Sequence, residues 1–197
     1  LLNTEIGIRL SNDMALGETD FELMGMSGNN VKILLDGIPL IDRGATKQSL
    51  SQLDVNSIER VEIVEGPMSV VYGTDALAGV INIITKKGDG YSEENTWRVG
   101  ARVQEESMGK EYDFFKDKGL HNESIDLGFN HKSGLFVNGG YTRNNHGGWQ
   151  GDLTGREKRW HPKDQALMNG MFGFQNRNMN VWYRLDFLDE KIFGPNN

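Results

Sequence analysis

Two hydrophobic rhythms share the chain, and they change over between Lys87 and Glu94. Beyond that point apolar and polar residues alternate. Trp97, Val99, Ala101 and Val103 are interleaved with Arg98, Gly100, Arg102 and Gln104. Ile125, Leu127 and Phe129 alternate with Ser124, Asp126, Gly128 and Asn130. Leu135, Val137, Gly139 and Tyr141 alternate with Phe136, Asn138, Gly140 and Thr142. The same rhythm recurs at Met168, Gly170, Phe172 and Phe174, and at Val181, Tyr183, Leu185 and Phe187. Side chains with a period of two belong to half-buried strands. The pattern predicts five strands of about 9–11 residues, close to the length that crosses a bilayer at a tilt.

Turn chemistry selects a register for the second and third strands. Lys132-Ser133-Gly134 suits a three-residue hairpin loop with Gly in the left-handed position. His131 then faces Leu135, Phe129 faces Val137, Leu127 faces Gly139 and Ile125 faces Tyr141. Gly128, Asp126 and Ser124 fall opposite Asn138, Gly140 and Thr142, so one face is apolar and the other polar. A one-residue slip would mix them. A tight turn at Asn176-Arg177 would set Phe174 beside Met179 and Phe172 opposite Val181. Glu123 falls opposite Arg143. Connections at 132–134 and 176–177 are short, whereas those at about 107–120 and 147–166 are long and polar. Outer-membrane barrels alternate short and long connections in this way. A soluble antiparallel sheet with one wet face shares the alternation but gives no reason for the connection lengths. Trp97 and Tyr141 read equally as interfacial aromatics or as ordinary strand residues.

Before residue 87 short apolar runs mix with helix-like pieces. Val31–Leu35 reads as a buried strand stopped by Asp36-Gly37, a turn pair. Arg60–Val64 and Val80–Thr85 read as further strands, with Gly66-Pro67 ending the former. Helical turns are predicted at 49–53 and 68–72, and Asn56 and Ser57 are N-cap types. Residues 1–90 therefore form a small mixed α+β domain, and residues 91–197 an antiparallel β region. Lys86–Gly90 is the polar linker.

Composition narrows the function. Net charge is −7 and no stretch is densely basic, which argues against a nucleic-acid partner. Cysteine is absent, removing thiol nucleophiles and Cys-based metal sites. No apolar run approaches the roughly 18 residues of a spanning helix. No basic start and apolar core open the chain as a signal peptide would. Gly66 to Gly79 lacks a phosphate-loop ending, and Ser69 lies in no nucleophile elbow. His121, His131, His146 and His161 have no metal-ligand spacing, and Glu111, Asp113 and Asp117 match no EF-hand loop. No metal, cofactor or catalytic group is predicted.

The stretch from Val31 to Lys87 carries a resemblance. A strand ends in Asp36-Gly37-Ile38-Pro39. Ile58-Glu59-Arg60-Val61-Glu62 leads to Gly66-Pro67-Met68-Ser69, then Tyr72-Gly73 and Ala76. Gly79-Val80-Ile81-Asn82-Ile83-Ile84-Thr85-Lys86 closes the series. In this order the motifs resemble the plug domain of TonB-dependent outer-membrane receptors. Met24-Gly25-Met26 stands where many members have Arg-Gly, and with Ser27–Asn30 it resembles receptors of the Bacteroidetes type.

The resemblance implies a plug at 1–90, lacking its N-terminal part, and the first strands of a transmembrane β-barrel of about 22 strands at 91–197. It implies a bacterial outer-membrane receptor that takes up an iron–siderophore complex, haem, cobalamin or a similar bulky nutrient. The TonB energy-transducing protein would pull on a segment upstream of Leu1, and outer-membrane lipid would surround the strands. A receptor with mainly signalling output, or a soluble α/β enzyme, are the alternatives. Asp36, Gly37, Pro39, Arg60, Glu62, Gly66, Pro67, Tyr72, Gly73, Gly79 and Asn82 are its structural or gating residues. Val61, Ile63, Ile81 and Ile83 supply the plug core. Arg60, Glu62 and Glu65 either meet lumen charges or form a solvated face. Tyr72 fills the plug core or lies against the barrel wall. Asp42 and Arg43 at the plug apex, with His121 and His146 near the outer rim, are candidate ligand contacts.

Overall fold

The computed structural model describes residues 8–13, 18–23, 26–27, 31–40, 53–66, 76, 79–87, 94–115, 118–149 and 161–193. Two compact units emerge: residues 1–53 with 58–86, and residues 54–57 with 87–197.

The first unit contains two sheets. Strands β1 (Ile8–Asp13), β2 (Glu18–Leu23) and β3 (Met26–Ser27) form an antiparallel sheet in sequence order. Ile8 pairs with Leu23 and Leu10 with Phe21. No strand was expected here, because each segment has few apolar residues from which to establish a period. The second sheet holds β4 (Val31–Leu35), β5 (Ile38–Pro39), β6 (Ile58–Glu65) and β7 (Gly79–Thr85), in the order β5-β4-β7-β6. β7 runs parallel to β4 and antiparallel to β6. It is central, with Ile81, Ile83 and Thr85 buried on one face and Val80 buried on the other, where Asn82 and Ile84 are partly covered. On one side Ile81 and Ile83 join Val31, packed against Ile33, Leu35, Leu53, Ile58, Val61 and Ile63. On the other, Val80 packs with Leu34 and Ala76. The predicted helical turn at 68–72 and all of 49–53 except Leu53 lie outside the described residues.

The second unit is an antiparallel meander. β8 (Thr96–Glu106), β9 (Leu120–Asn130), β10 (Leu135–His146), β11 (Lys163–Gln175) and β12 (Asn180–Ile192) pair in sequence order. The strands have 11 to 13 residues, longer than the apolar alternation alone suggests. Hydrogen-bonded pairing continues through polar ends such as Arg143–His146 and Leu188–Ile192. Phe129 pairs with Val137, Leu127 with Gly139 and Ile125 with Tyr141, the register expected from the turn. That turn closes with His131 N–H donating to the Leu135 carbonyl at 2.8 Å, and Gly134 has φ +97°. A Cβ at Gly134 would also collide with the Gln175 carbonyl oxygen. Gly134→Ala is therefore expected to destabilise the chain by about 1–3 kcal/mol, read as a lower urea midpoint. An unchanged midpoint would contradict this turn geometry.

The second hairpin corrects one expectation. Phe172 pairs with Tyr183 and Phe174 with Val181, so the register is two residues away from the expected one. The turn is longer than two residues because Asn176 organises it. Its Oδ1 accepts from the N–H groups of Asn178 at 2.9 Å and Met179 at 2.8 Å, and its own N–H donates to the Met179 carbonyl. This is the Asx-type turn that Asn side chains favour. A shift of two preserves which face each residue occupies.

Candidate functional site

In the first unit the structure joins several motif residues into one polar network. Asp36 and Gly37 form the β4–β5 turn with φ +52° and +83°, the signature of a two-residue hairpin with both central residues left-handed. Asp36 Oδ1 accepts from Thr85 N–H at 3.0 Å, and Oδ2 accepts from the Thr85 hydroxyl at 2.6 Å. Gly37 N–H donates to Asn82 Oδ1 at 2.9 Å, and Asn82 Nδ2 donates to Glu62 Oε2 at 3.3 Å. Glu62 Oε1 then accepts from Arg60 Nε at 3.0 Å, while Arg60 Nη1 reaches Glu59 at 2.8 Å. The hydrogen bond to Glu62 outweighs desolvation and, with the nearby carboxylate charges, raises the Arg60 pKa above its ordinary value.

Three strands are thereby tied to one turn. Pro39 pairs with Leu34 in the edge strand β5, where a residue without an N–H fits. Gly79 opens β7 with φ +148°, and Gly66 follows β6 with φ +104°. Pro67, Tyr72 and Gly73 lie outside the described residues. Thr85, only 1% exposed, was read from sequence as a strand and motif residue but given no role; its position 49 residues from Asp36 gave no local signal of the pairing. Asp36→Ala is expected to cost about 2 kcal/mol by leaving buried Thr85 groups without these acceptors. Thermal unfolding of the purified chain checks this, and the expectation fails if Asp36→Asn costs as much as Asp36→Ala.

In the second unit a buried carboxylate stands on the polar face of the sheet. Asp54 precedes a short 3-10 turn at Val55–Ser57. Asn56 and Ser57, read from sequence as N-cap types before a short turn, lie within this one, and Asp54 caps it. Its Oδ1 accepts from Asn56 N–H at 2.9 Å, and its carbonyl accepts from the Ser57 hydroxyl at 2.7 Å. Residue 54 comes one step before the turn, where a side-chain acceptor meets the unpaired N–H groups. The same carboxylate reaches across the sheet. Oδ1 accepts from the Thr142 hydroxyl at 3.0 Å on β10, and Oδ2 from Asn169 Nδ2 at 2.8 Å on β11. Asn56 Nδ2 also donates to Thr142 Oγ1 at 3.1 Å and to Asp54 Oδ1 at 3.2 Å. Asp54 is 6% exposed and is satisfied by these neutral donors.

Beside the buried Phe136, Leu167 and Met171, that face carries a polar ladder. Arg98 lies 3.8 Å from Asp126 and donates to Asn138 at 3.4 Å. Asn144 donates to Gln165 at 3.0 Å, and Gln165 to Glu190 at 2.7 Å. Lys163 pairs with Glu190 at 2.8 Å, and Arg184 with Asp186 at 2.6 Å. The opposite face exposes Trp97, Val99, Val103, Ile125, Leu127, Val137, Tyr141, Phe172, Tyr183, Leu185 and Phe187. From Leu135 to Tyr141 this band spans about 20 Å along the strand. An exposed apolar surface of that extent requires a non-aqueous neighbour.

The candidate ligand contacts separate. His121 and His146 sit on adjacent strands at the same end, but alternation puts them on opposite faces. His121 shares the face of Ile125 and is buried with its Nδ1 2.6 Å from Glu105 Oε2. His146 shares the polar face of Thr142, and its Nδ1 accepts from Gly148 N–H at 2.9 Å. Arg143, expected opposite Glu123, is opposite it, but its ion pair is with Asp164 at 3.4 Å. Asp42 and Arg43 lie outside the described residues. Among the described residues no cluster of three or more His, Asp or Glu side chains is arranged to hold a metal.

Residues 1–80 match the family model described as the TonB-dependent Receptor Plug Domain. Over these residues the chain is similar to the plug domain of TonB-dependent receptors. It is 33% identical over 104 residues to the ferrienterobactin receptor of Escherichia coli (strain K12), covering 46% of this chain and 14% of that protein. It is 40% identical over 79 residues to the vitamin B12 transporter BtuB of Vibrio vulnificus (strain CMCP6), covering 40% of this chain and 13% of the other. The chain thus spans only a small part of the curated relatives it matches. Among solved structures, the siderophore receptor PirA from Acinetobacter baumannii superposes with a TM-score of 0.68 at 19% identity, over 96% of this chain and 28% of PirA. The copper transporter OprC gives 0.71 at 14% identity, over 94% and 27%. These likenesses establish the fold: a TonB-dependent receptor plug followed by antiparallel barrel strands. The exposed apolar face of β8–β12 is compatible with a lipid neighbour, and the ladder around Asp54 lies on the opposite face of the sheet.

Proposed function

We propose that the full-length receptor takes up a scarce, bulky nutrient of the iron–siderophore, haem or cobalamin class, and that it is a transporter, not an enzyme. The observation carrying this reading is the continuous match of residues 1–80 to a plug domain, followed by strands with one lipid-compatible face. Relatives named for ferrienterobactin and vitamin B12 support the ligand class. In this reading the TonB protein supplies mechanical work, and extracellular ligand meets loops at the end of the strands where His121 and His146 lie. Asp42 and Arg43 are proposed as apical contacts, with His146, on the inward face, the better placed of the two histidines. The Asp36–Thr85 and Gly37–Asn82–Glu62–Arg60 networks would hold the plug sheet together while load is applied.

The test is uptake of ferric enterobactin, haem and cyanocobalamin by cells carrying the full-length receptor, with and without a functional TonB protein. TonB-dependent accumulation of one of them is expected. Saturable binding of all three without TonB-dependent entry would favour a signalling receptor, and binding of none would refute the ligand class.

A further inference from the structure

Tyr112 and Phe115, in the first long connection, are held against Glu105 on the outward face of the sheet. Glu105 lies two residues beyond Val103 on β8 and therefore shares its face. His121 pairs with Glu105 across the strands and shares the face of Ile125 and Leu127. Glu105 Oε2 accepts from the Tyr112 hydroxyl at 3.0 Å and from Phe115 N–H at 3.4 Å. Burial, followed by the hydrogen bond and charge of Glu105, raises the Tyr112 pKa. Gly119, at φ +111°, leaves room for the Tyr112 ring: a Cβ there would lie 3.1 Å from Tyr112 Cδ2 and 3.6 Å from His121 Cε1. The loop is internally braced by mutual Met108–Glu111 backbone bonds of 3.0 Å and by Asp113 N–H donating to the Lys118 carbonyl at 2.8 Å.

This bracing holds an unfavourable arrangement. Phe115 has φ +60°, a conformation aromatic side chains rarely adopt. Phe114 and Phe115 stack edge-on with centroids 4.2 Å apart, and both remain exposed, Phe114 at 67%. Two exposed aromatics on a strained, anchored turn are costly in water. Their backbone is fixed to Glu105, about 7 Å along the strand from the last apolar row at Val103. That is the level at which acyl chains give way to headgroups, where aromatic rings are favoured.

We propose that the Phe114–Phe115 tip is a membrane anchor, inserted at the headgroup boundary of the outer leaflet outside the barrel. The inference rests on the outer-membrane reading and on the continuity of this tip with the lipid face. It assigns to residues 112–115 a role in seating the receptor in lipid and not in closing over ligand.

The test uses nitroxide labels at single cysteines in the full-length receptor in phosphatidylcholine vesicles, comparing collision with oxygen and with a water-soluble nickel complex. Phe114→Cys is expected to give an oxygen-to-nickel ratio several-fold above that of Lys110→Cys and approaching that of Leu127→Cys. A water-like ratio at 114 overturns the proposal. So does a label shielded from both reagents, which would mean that protein covers the tip. If Leu127→Cys itself reads as water-exposed, the membrane reading fails, and the anchor with it.

Discussion

Asp54→Ala should release the 54–57 segment from β10 and β11, raising hydrogen exchange at the Asn56 amide by roughly 100-fold. The carboxylate accepts from Asn56 N–H, Asn56 Nδ2, Thr142 Oγ1 and Asn169 Nδ2. Hydrogen bonds to a charged group contribute about 1.5–3 kcal/mol each, and buried donors left behind add a desolvation penalty. The bonds are coupled through one side chain, so their sum overstates the effect; about 3 kcal/mol is the reasonable net, or roughly two decades in the opening constant. Asp54→Asn keeps the shape and one carbonyl acceptor, but turns an amide toward one of the donors. It should raise exchange about tenfold, at about 1.4 kcal/mol. Exchange at Asn56 in Asp54→Ala that stays within threefold of the parent would show that the carboxylate does not hold the segment. Thr142→Val removes a single partner and should fall between the parent and Asp54→Ala.

What the sequence revealed depended on how local the physics is. The hairpin joining β9 to β10 was legible to the residue because two signals coincide. Gly134 supplies the left-handed position, and a period of two punishes any one-residue slip by turning Ile125, Leu127 and Phe129 toward the polar side. The β11–β12 turn exposed the limit of that logic. A shift of two residues keeps every side chain on its face, so alternation alone cannot choose, and the Asn176 side chain decides. Strand ends were underestimated for a related reason: hydrophobic alternation stops short of the strand ends, whereas backbone pairing continues into polar residues such as Asn144 and Glu190. The strands at 8–27 were unreadable because the apolar positions are too sparse to define a period.

The site followed the same division. Asp36, Gly37, Glu62, Arg60 and Asn82 were singled out by resemblance, and the structure supplies the reason they occur together. Thr85 was quoted in the motif without a role, and Asp54 was passed over although its capping bonds to Asn56 and Ser57 are local. Their other partners lie 49 to 115 residues away, and only the tertiary fold brings those into reach. His121 is different, because the signal was present. Counting by two from Ile125 puts it on the outward face, so its burial against Glu105 was readable in principle.

Leu127→Arg in the full-length receptor is expected to lower its unfolding free energy in phosphatidylcholine vesicles by about 2–4 kcal/mol, the cost of a guanidinium near the bilayer midplane. Leu127 lies midway along β9, paired with Val99 and Gly139 in the exposed apolar band. Val103 lies on the same face one row from the Glu105 boundary, so Val103→Arg should cost only about 0–1 kcal/mol as its charge reaches the headgroups. Ser124 points to the opposite, inward face and pairs with Thr142 and Arg102. Ser124→Arg faces water-accessible polar groups, and its cost should stay within about 1 kcal/mol, set by repulsion from Arg102. The ordering carries the argument more than any single value. A soluble sheet would tolerate Leu127→Arg best of the three, because an arginine on a wetted face is nearly neutral. Urea unfolding that ranked Leu127→Arg as the mildest would transfer the apolar face from lipid to water, and with it remove the reason for a 20 Å band of exposed Leu, Val, Phe and Tyr.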